Sequence, residues 1–430
     1  MIIEGLYKRF RASALAKDSF WALLGNAFAR GFSLLAGIVV ANFLGKIEYG
    51  EYGLVRNTLL LIATLSTLGL GYTGTKFISE YSEDSSKGKY LTLLTREILR
   101  ITLLFSSVIA FLVFLFAEPL ARFLEDSTIV DAIRLLAVVI VLNALTTAQI
   151  GILAGFKSFT RMSQINIIAG LCNFVFTVCC TYYWGFIGSL YGFLLSQIVN
   201  CILNYIVISN ILKTRNPESA TDLSPKTIRF SLIRFSFPIA LQELSYSLCS
   251  WGTSVLVLKM TDYGEIGLYS ATTQWTSIVL FIPGVLRNVA LSYMSGEQDK
   301  SSQKLLFKRM LIINGCSTFF PAFGATIFSV SISHLYGESF SGLPPVLMLG
   351  MMGAVLQSLH NVCASEFMAR SWNWTMYVIA SIRDIGGILL CYLLIRYLEM
   401  SGSMSLAMSS ALVALGALSL SYLFIKLKAN

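Results

Sequence analysis

The sequence YGEYGL, from Tyr49 to Leu54, occurs again as YGEIGL, from Tyr263 to Leu268. Five of the six residues are identical, and the second copy lies 214 positions after the first. Each copy follows a long apolar stretch, so the two copies mark the same point in a repeated structure. The chain is therefore predicted to consist of two halves that fold alike.

Apolar stretches long enough to cross a bilayer occur along the whole chain on both sides of this motif. A membrane-spanning helix needs about 20 mainly apolar residues. With 55% hydrophobic and only 13% charged residues, the composition excludes a water-soluble globular protein. We predict an all-α polytopic membrane protein with about 12 transmembrane helices. These spans, numbered 1 to 12, are predicted at residues 20–43, 53–73, 98–117, 132–154, 165–184, 186–209, 232–258, 266–290, 310–333, 345–369, 375–395 and 403–425.

The repeat divides the spans into two sets of six, because span 1 precedes the first copy of the motif and span 7 precedes the second. Six is an even number, so both halves enter the membrane from the same side and the repeat axis runs along the membrane normal. We predict an N-lobe at 1–209, a cytoplasmic linker at 210–229 and a C-lobe at 230–430. Two parallel six-helix lobes around a central cleft are the architecture of an alternating-access transporter.

The loops on the two sides of the predicted bilayer differ in charge. The N-terminus, the even-numbered loops and the C-terminus together hold 22 Lys and Arg residues, against 4 in the odd-numbered loops. Because positive residues are retained on the cytoplasmic side, we predict that both termini are cytoplasmic. This asymmetry accounts for the net charge of +9, so the basic composition gives no support to a nucleic-acid partner.

Charged side chains within a span require a wet surface or an opposite charge, since each costs about 2.5 to 3.5 kcal/mol at the bilayer centre. Arg30 in span 1 and Glu243 in span 7 each belong to a series of polar or small residues spaced i, i+4, i+7 and i+11, which is one face of a helix. Either these faces line the cleft, or the two charges form a buried structural pair. The two series are Asn26, Arg30, Ser33 and Gly37, and Glu243, Ser247, Ser250 and Ser254.

Three other intramembrane charges have two interpretations each. Arg56, near the outer end of span 2, and Arg287, near the inner end of span 8, either line the cleft or extend their side chains to the nearest interface. Asp384 in span 11 either binds a coupling ion or, with its neighbour Arg383, makes structural contacts.

No motif for catalysis or cofactor binding occurs in the sequence. It lacks G-x-x-x-x-G-K-[ST], D-x-D and H-E-x-x-H. The eight cysteines form neither a C-x-x-C pair nor a cluster with histidine. We therefore expect no enzyme activity, no metal site and no cofactor.

Three stretches carry a resemblance to a known family. They are FWALLGNAFARGFSLLAGIVVANFLG from Phe20 to Gly45, the YGEYGL turn that follows it, and LAGFKSFTRMSQIN from Leu153 to Asn166. With the basic N-terminal segment, they resemble the polysaccharide transporter family, the O-antigen flippases of the Wzx type, within the MOP superfamily. The resemblance implies a MOP/MATE-like fold. It also implies a flippase that moves undecaprenyl-pyrophosphate-linked oligosaccharide, an O-antigen or related surface-polysaccharide repeat unit, from the cytoplasmic to the periplasmic leaflet of the bacterial inner membrane.

The resemblance further implies that spans 1, 2, 7 and 8 line a central cavity that is often cationic. The first lobe has Arg30 and Arg56 within its spans and no carboxylate there, a balance that favours an anionic substrate. A guanidinium binds phosphate oxygens through two hydrogen bonds and remains charged when desolvated, which suits a pyrophosphate. The candidate substrate-binding residues are Arg30, Arg56, Glu243, Arg287, Asn26, Ser33 and Gln242, and the candidate coupling-ion residues are Glu243 and Asp384.

Two other functions stay open from the sequence. One is a MATE-like multidrug or organic-ion antiporter, which would bind cations through intramembrane carboxylates. The other is a non-transporting scaffold of a glycan assembly complex. The expected partners are the lipid-linked oligosaccharide itself, membrane lipids, and the polysaccharide polymerase and chain-length proteins.

Overall fold

The computed structural model describes residues 14–67, 69–81, 88–124, 129–214, 225–284, 300–370 and 372–429. The regular structure of these residues is helical throughout, so the predicted all-α class is confirmed. One short 3₁₀ helix, Glu338–Phe340, follows the tenth α-helix. The α-helices are α1 Ala14–Thr67, α2 Leu70–Tyr81, α3 Gly88–Leu115, α4 Ala117–Phe123, α5 Val130–Gly155, α6 Phe159–Lys213, α7 Pro225–Met260, α8 Tyr263–Val279, α9 Lys300–Ile327, α10 Ser329–Tyr336, α11 Leu343–Ala369, α12 Asn373–Leu398 and α13 Gly402–Ala429.

The two longest helices are each interrupted at a glycine. In α1 the backbone at Gly45 has φ 72° and ψ 176°. In α6 the break lies at Trp184 and Gly185, and Gly185 has φ 55° and ψ −138°. Glycine adopts positive φ without the steric cost that a Cβ would add. Each break therefore separates two predicted spans, and the break in α6 coincides with the predicted boundary between spans 5 and 6.

Eight stretches in the described part of the chain are long and apolar enough to cross a membrane. Two of them, Gly25–Thr67 and Phe159–Lys213, contain two predicted spans each, so the eight stretches account for ten of the twelve predicted spans. Span 2 continues past the end of α1 into α2. Spans 7 and 8 correspond to α7 and α8. The protein is thus a polytopic membrane protein.

The chain forms two compact units, and each unit consists of two separate stretches of sequence. The residues around Gly45 belong to the second unit, and the first part of α7 belongs to the first unit. The predicted N-lobe, linker and C-lobe were defined by the sequence repeat and not by contacts, so this division stays a prediction. Unit 1 consists of Met1–Ala36 and Val55–Ser247, and unit 2 consists of Gly37–Leu54 and Leu248–Asn430.

Each unit is organised around one central helix. In unit 1, α5 packs against α2, α3 and α6, and in unit 2, α11 packs against α8, α9 and α13. These central helices correspond to spans 4 and 10, which occupy equivalent places in the two sequence halves. In unit 1 the contact is apolar, with Leu91, Leu94 and Ile98 of α3 packed with Ile152 and Leu153 of α5. Between helices in a bilayer, such contacts stabilise chiefly through van der Waals packing, because lipid tails are as apolar as these side chains.

A buried carboxylate holds the start of α7 in unit 1. Glu97 on α3 is 2% exposed, and both of its oxygens accept hydrogen bonds from the Arg229 guanidinium of α7. Arg100 Nη1 lies 3.7 Å from Glu97 Oε1. Further along α7, Ser236 Oγ lies 2.6 Å from Thr73 Oγ1 of α2. Because a buried carboxylate is costly without such partners, these contacts fix α7 against α3 and α2.

We expect Glu97→Gln to reduce the amount of folded protein in the membrane several-fold and to lower its Tm, because the neutral amide cannot balance the charge of Arg229. Immunoblots of membranes and thermal unfolding in detergent measure the two effects. Glu118→Gln is the matched control, since Glu118 is 59% exposed and pairs with Arg134 at 3.4 Å on the surface, where an ion pair contributes little. Equal Tm values for the two variants would contradict the role of Glu97.

Candidate functional site

The side chain of Arg30 is exposed, in the part of α1 that belongs to unit 1. Two other residues of its predicted polar face lie beside it. Asn26 Oδ1 accepts a hydrogen bond of 3.3 Å from Asn166 Nδ2 on α6, and Ser33 is half-buried. The structure therefore places an arginine, an amide and a hydroxyl along one side of α1.

A different face of α1 packs against α6. A Cβ added to Gly25 would lie 2.3 Å from Ser163 Oγ, and one added to Gly170 of α6 would lie 2.9 Å from Ala29 Cα. Gly25 and Ala29 each precede a residue of the polar face by one position, which is about 100° around an α-helix. Arg30 therefore lies at the side of this contact, and Asn26, four residues earlier on the same face, reaches α6 through its hydrogen bond.

Arg56 also belongs to unit 1, and two apolar residues close to it in α1 are buried. Val55 is 1% and Leu59 is 2% exposed, whereas Arg56 itself is half-buried. Its side chain forms no ion pair or hydrogen bond with another described residue. Arg30 and Arg56 thus both belong to unit 1, and neither side chain is fully buried.

Glu243 on α7 shares a helical face with two hydroxyl groups that contact the second predicted span. Ser236 Oγ lies 2.6 Å from Thr73 Oγ1, and Ser247 Oγ lies 3.2 Å from Thr64 Oγ1. Glu243 comes seven residues after Ser236 and four before Ser247, so it lies between these two contacts on the same face.

The segment opposite Glu243 is an interruption between two helices. α1 ends at Thr67 and α2 begins at Leu70, with Gly69 at φ 65°. Helix ends leave backbone N–H and C=O groups without helical partners, and discontinuous membrane helices form ion and substrate sites for that reason. Glu243 is half-buried and forms no ion pair with another described residue. Its carboxylate therefore lies at an interrupted helix without an ion pair to another described residue.

The other predicted site residues are not all brought together. Arg287 lies outside the described residues, as does the side chain of Gln242. Asp384 pairs with its neighbour Arg383 at 2.7 Å, and both side chains are 14% exposed. The charge of Asp384 is therefore already balanced by an adjacent arginine. Among the described residues, no group of three or more His, Cys, Asp or Glu side chains is arranged to hold a metal ion.

The two copies of the repeated motif contact each other within unit 2. The similarity of their sequences does not by itself predict this contact. A Cβ on Gly50 would lie 1.8 Å from the carbonyl oxygen of Tyr263, and a Cβ on Gly267 would lie 2.1 Å from that of Lys46. Only glycine allows two backbones to approach this closely. The sequence does contain a signal, because each copy has two glycines three residues apart and therefore on one side of a helix.

A cluster of four side chains in unit 2 includes the first residue of the motif, and three of the four are buried while Gln274 is half-buried. We call Tyr49, Gln274, Tyr336 and Phe340 the tyrosine cluster. Gln274 Nε2 donates a hydrogen bond to the Tyr49 hydroxyl at 2.5 Å, and the Tyr336 hydroxyl donates one to Gln274 Oε1 at 3.3 Å. Burial raises the pKa of Tyr336, so its hydroxyl remains a donor. A Cβ on Gly37 would lie 2.2 Å from Gln274 Nε2. Gly37 therefore packs in this cluster and not on an open face with Arg30.

Comparison with protein families and with curated proteins gives three matches. The model of a family described as polysaccharide biosynthesis protein matches residues 15–295. An uncharacterized membrane protein of Methanocaldococcus jannaschii, MJ1375, is 23% identical over 328 residues, which cover 72% of this chain and 75% of that protein. The lipopolysaccharide biosynthesis protein WzxC of Escherichia coli is 21% identical over 358 residues, which cover 82% of this chain and 69% of that protein.

Solved structures of MATE transporters have the same fold. The inward-facing conformation of a multidrug resistance MATE family transporter of the MOP superfamily matches with a TM-score of 0.78 and 15% identity, over 95% of this chain and 98% of that chain. The outward-facing conformation of a MATE family transporter matches with a TM-score of 0.66 and 15% identity, over 96% and 94% of the two chains. At this identity the similarity concerns the fold alone, and the predicted MOP/MATE-like fold is confirmed.

Proposed function

This chain belongs to the polysaccharide biosynthesis protein family, and on that premise we propose that it is a flippase for a lipid-linked oligosaccharide. Its substrate is an undecaprenyl-pyrophosphate-linked repeat unit of O-antigen or of a related surface polysaccharide. The protein moves this lipid from the cytoplasmic to the periplasmic leaflet of a bacterial inner membrane by alternating access. The polysaccharide polymerase and chain-length proteins are its proposed protein partners.

The observation that carries this proposal is the pair of arginines in unit 1. Arg30 is exposed, and Arg56 is half-buried without an ion pair to another described residue. A guanidinium in hydrocarbon costs about 2.5 to 3.5 kcal/mol, so both side chains require polar surroundings. A pyrophosphate supplies the opposite charge, and its oxygens match the two parallel donors of a guanidinium. Asn26 and Ser33, beside Arg30, are the proposed contacts for sugar hydroxyls.

Glu243 is the proposed coupling group of the same transporter. Its carboxylate lies opposite the interruption between α1 and α2 and has no cationic partner among the described residues. Proton binding at this position would neutralise a charge inside the membrane, and proton release would restore it. The transport step can therefore be linked to a proton gradient through one residue. Asp384 is the weaker candidate because it is paired with Arg383.

We expect Glu243→Gln to keep membrane abundance near the wild-type level and to reduce transport about tenfold or more, because the amide cannot exchange a proton. Surface glycan and membrane protein are measured in the same cells. Glu338→Gln, which changes an exposed glutamate, is the control and should leave both unchanged. If abundance fell together with transport, Glu243 would instead be a structural group, since removing one partner of a buried pair costs about 3 to 5 kcal/mol.

The second candidate function is a MATE-like antiporter of organic cations, which the fold and the half-buried Glu243 favour. Purified protein in proteoliposomes distinguishes it from a flippase. A fluorescent undecaprenyl-pyrophosphoryl saccharide should change leaflets at a rate that depends on the protein, whereas lipophilic cations should not be taken up. Uptake of cations without saccharide movement would overturn the flippase proposal. A protein that moves neither substrate would be the non-transporting scaffold.

The proposed orientation gives a separate expected result. A reporter that is active only in the periplasm should be active when fused after Asp126 or Glu338 and inactive when fused after Ser86 or Asp222. The reason is the excess of Lys and Arg in the even-numbered loops. A cytoplasmic reporter at the same four positions should give the complementary pattern. The reverse of both patterns would place the termini on the opposite side of the membrane.

A further inference from the structure

A second charged surface lies in unit 2, where α11 ends, α12 begins and α13 ends. Arg370 Cζ lies 5.1 Å from the ring centroid of Trp372, and Lys428 Nζ lies 4.5 Å from the same centroid. Lys428 Nζ also lies 5.3 Å from the Phe424 ring. The Trp372 and Phe424 rings meet edge to face at 5.7 Å, and both contact the fully buried Phe367. We call these three rings the aromatic platform, and it holds two cations.

Only one of these two cations has an anionic partner among the described residues. Arg370 forms an ion pair with Glu366, which is 3% exposed. Lys428 is exposed and pairs with no described carboxylate. The distances from Arg370 and from Lys428 are both measured to the Trp372 centroid, so the two positive charges are at most about 10 Å apart. Salt does not fully screen two charges at this separation. The platform therefore carries one uncompensated positive charge.

The residues around the platform have the character of a membrane interface. Trp374 is 82% and Leu427 is 80% exposed. The Trp374 ring lies edge to face with the Tyr377 ring at 6.3 Å. Tryptophan and tyrosine are enriched at the level of lipid headgroups, and an exposed leucine beside Lys428 provides contact for an acyl chain. The carboxyl ends of α11 and α13 add negative helix dipoles, which favour the cations held there.

We propose that this surface binds the headgroup of an anionic glycerophospholipid, such as phosphatidylglycerol, from the surrounding leaflet. Lys428 donates to the phosphate, and the aromatic platform fixes the position of the ammonium group. Basic pockets between transmembrane helices bind anionic headgroups in this way. The single uncompensated charge matches a phosphodiester with one negative charge better than a pyrophosphate. Lys426 lies two residues earlier, about 200° around the helix, and so does not add its charge here.

The proposal is independent of the transported substrate and is tested by lipid binding to the full-length protein. Native mass spectrometry of the detergent-solubilised protein measures titrations with phosphatidylglycerol, phosphatidylcholine and undecaprenyl pyrophosphate. Wild-type protein should bind phosphatidylglycerol at least about fivefold more tightly than phosphatidylcholine, and Lys428→Gln should lose that preference. Trp372→Phe should retain part of it, because a ring remains under the ammonium group, whereas Trp372→Leu should lose it.

Lys213→Gln is the matched control, since Lys213 is also exposed in the last turn of a membrane helix but lies in unit 1. This variant should keep the wild-type preference. Equal affinity of wild type and Lys428→Gln for phosphatidylglycerol would overturn the proposal. It would also be overturned if undecaprenyl pyrophosphate bound more tightly than phosphatidylglycerol with the same dependence on Lys428, because the surface would then be a site for the carrier lipid.

Discussion

Replacing Gly50 or Gly267 by alanine is expected to abolish nearly all transport and to lower the Tm of the purified protein. The added methyl group would lie 1.8 Å from the Tyr263 carbonyl oxygen in the first variant and 2.1 Å from the Lys46 carbonyl oxygen in the second. These are backbone atoms, which cannot rotate away as a side chain can, so the two segments must separate. Overpacking of this kind costs about 1 to 3 kcal/mol or more. Thermal unfolding and saccharide movement in proteoliposomes, per folded molecule, measure both effects.

Gly31→Ala is the matched control for these variants, because a Cβ at Gly31 would have no neighbour within 4 Å. It should leave Tm and transport at wild-type values. The double variant Gly50→Ala/Gly267→Ala should be destabilised by less than the sum of the two single variants, since one separation of the segments relieves both clashes. Wild-type transport by either single variant would show that the two motif copies do not cross closely in the working protein.

Arg30→Ala is expected to abolish surface glycan while membrane abundance stays near the wild-type level. The side chain is exposed, so its removal leaves no cavity in the packed interior. Losing one charge-assisted hydrogen bond, about 1.5 to 3 kcal/mol, would weaken binding of the pyrophosphate about ten- to hundredfold. Arg30→Lys should retain part of the activity, because the charge remains but the two parallel donors do not. Surface polysaccharide and membrane protein are measured in the same cells at near-native expression.

Arg396→Ala serves as the control for Arg30→Ala, since Arg396 is an exposed arginine in the last turn of α12. It should support normal glycan export. Abundance that falls in proportion to glycan in Arg30→Ala would indicate a structural arginine. Full export of glycan by Arg30→Ala would remove the anion-binding role entirely.

The membrane spans were predictable from the sequence because the bilayer imposes one length and one composition on each of them. The break in α6 was predictable as well, since Gly185 separates two apolar stretches. The fold class follows from the same constraint, because a chain in hydrocarbon must satisfy its backbone hydrogen bonds within helices or a closed barrel. These features depend on residues close together in the chain.

Contacts between distant residues were not predictable in this way. Glu97 and Arg229 are 132 positions apart, and hydropathy placed both just outside the predicted spans, where neither required a partner. Tyr49 and Gln274 are 225 positions apart. Within the candidate site, the polar face of Arg30 was expected to include Gly37, but the structure packs Gly37 against Gln274. The periodicity of a single helix identifies a face, but it does not show where along that face a neighbouring helix begins.

The close crossing of the two motif copies also limits how the two halves of the gene can evolve. Duplicated halves of one protein ordinarily diverge by independent drift. Here Gly50 lies against the backbone at Tyr263, and Gly267 lies against the backbone at Lys46. A substitution at either glycine therefore disturbs both copies of the motif. The close approach therefore requires glycine at both positions together. For chimeras that exchange whole halves between related proteins, compatibility requires that both parents carry glycine at these two positions.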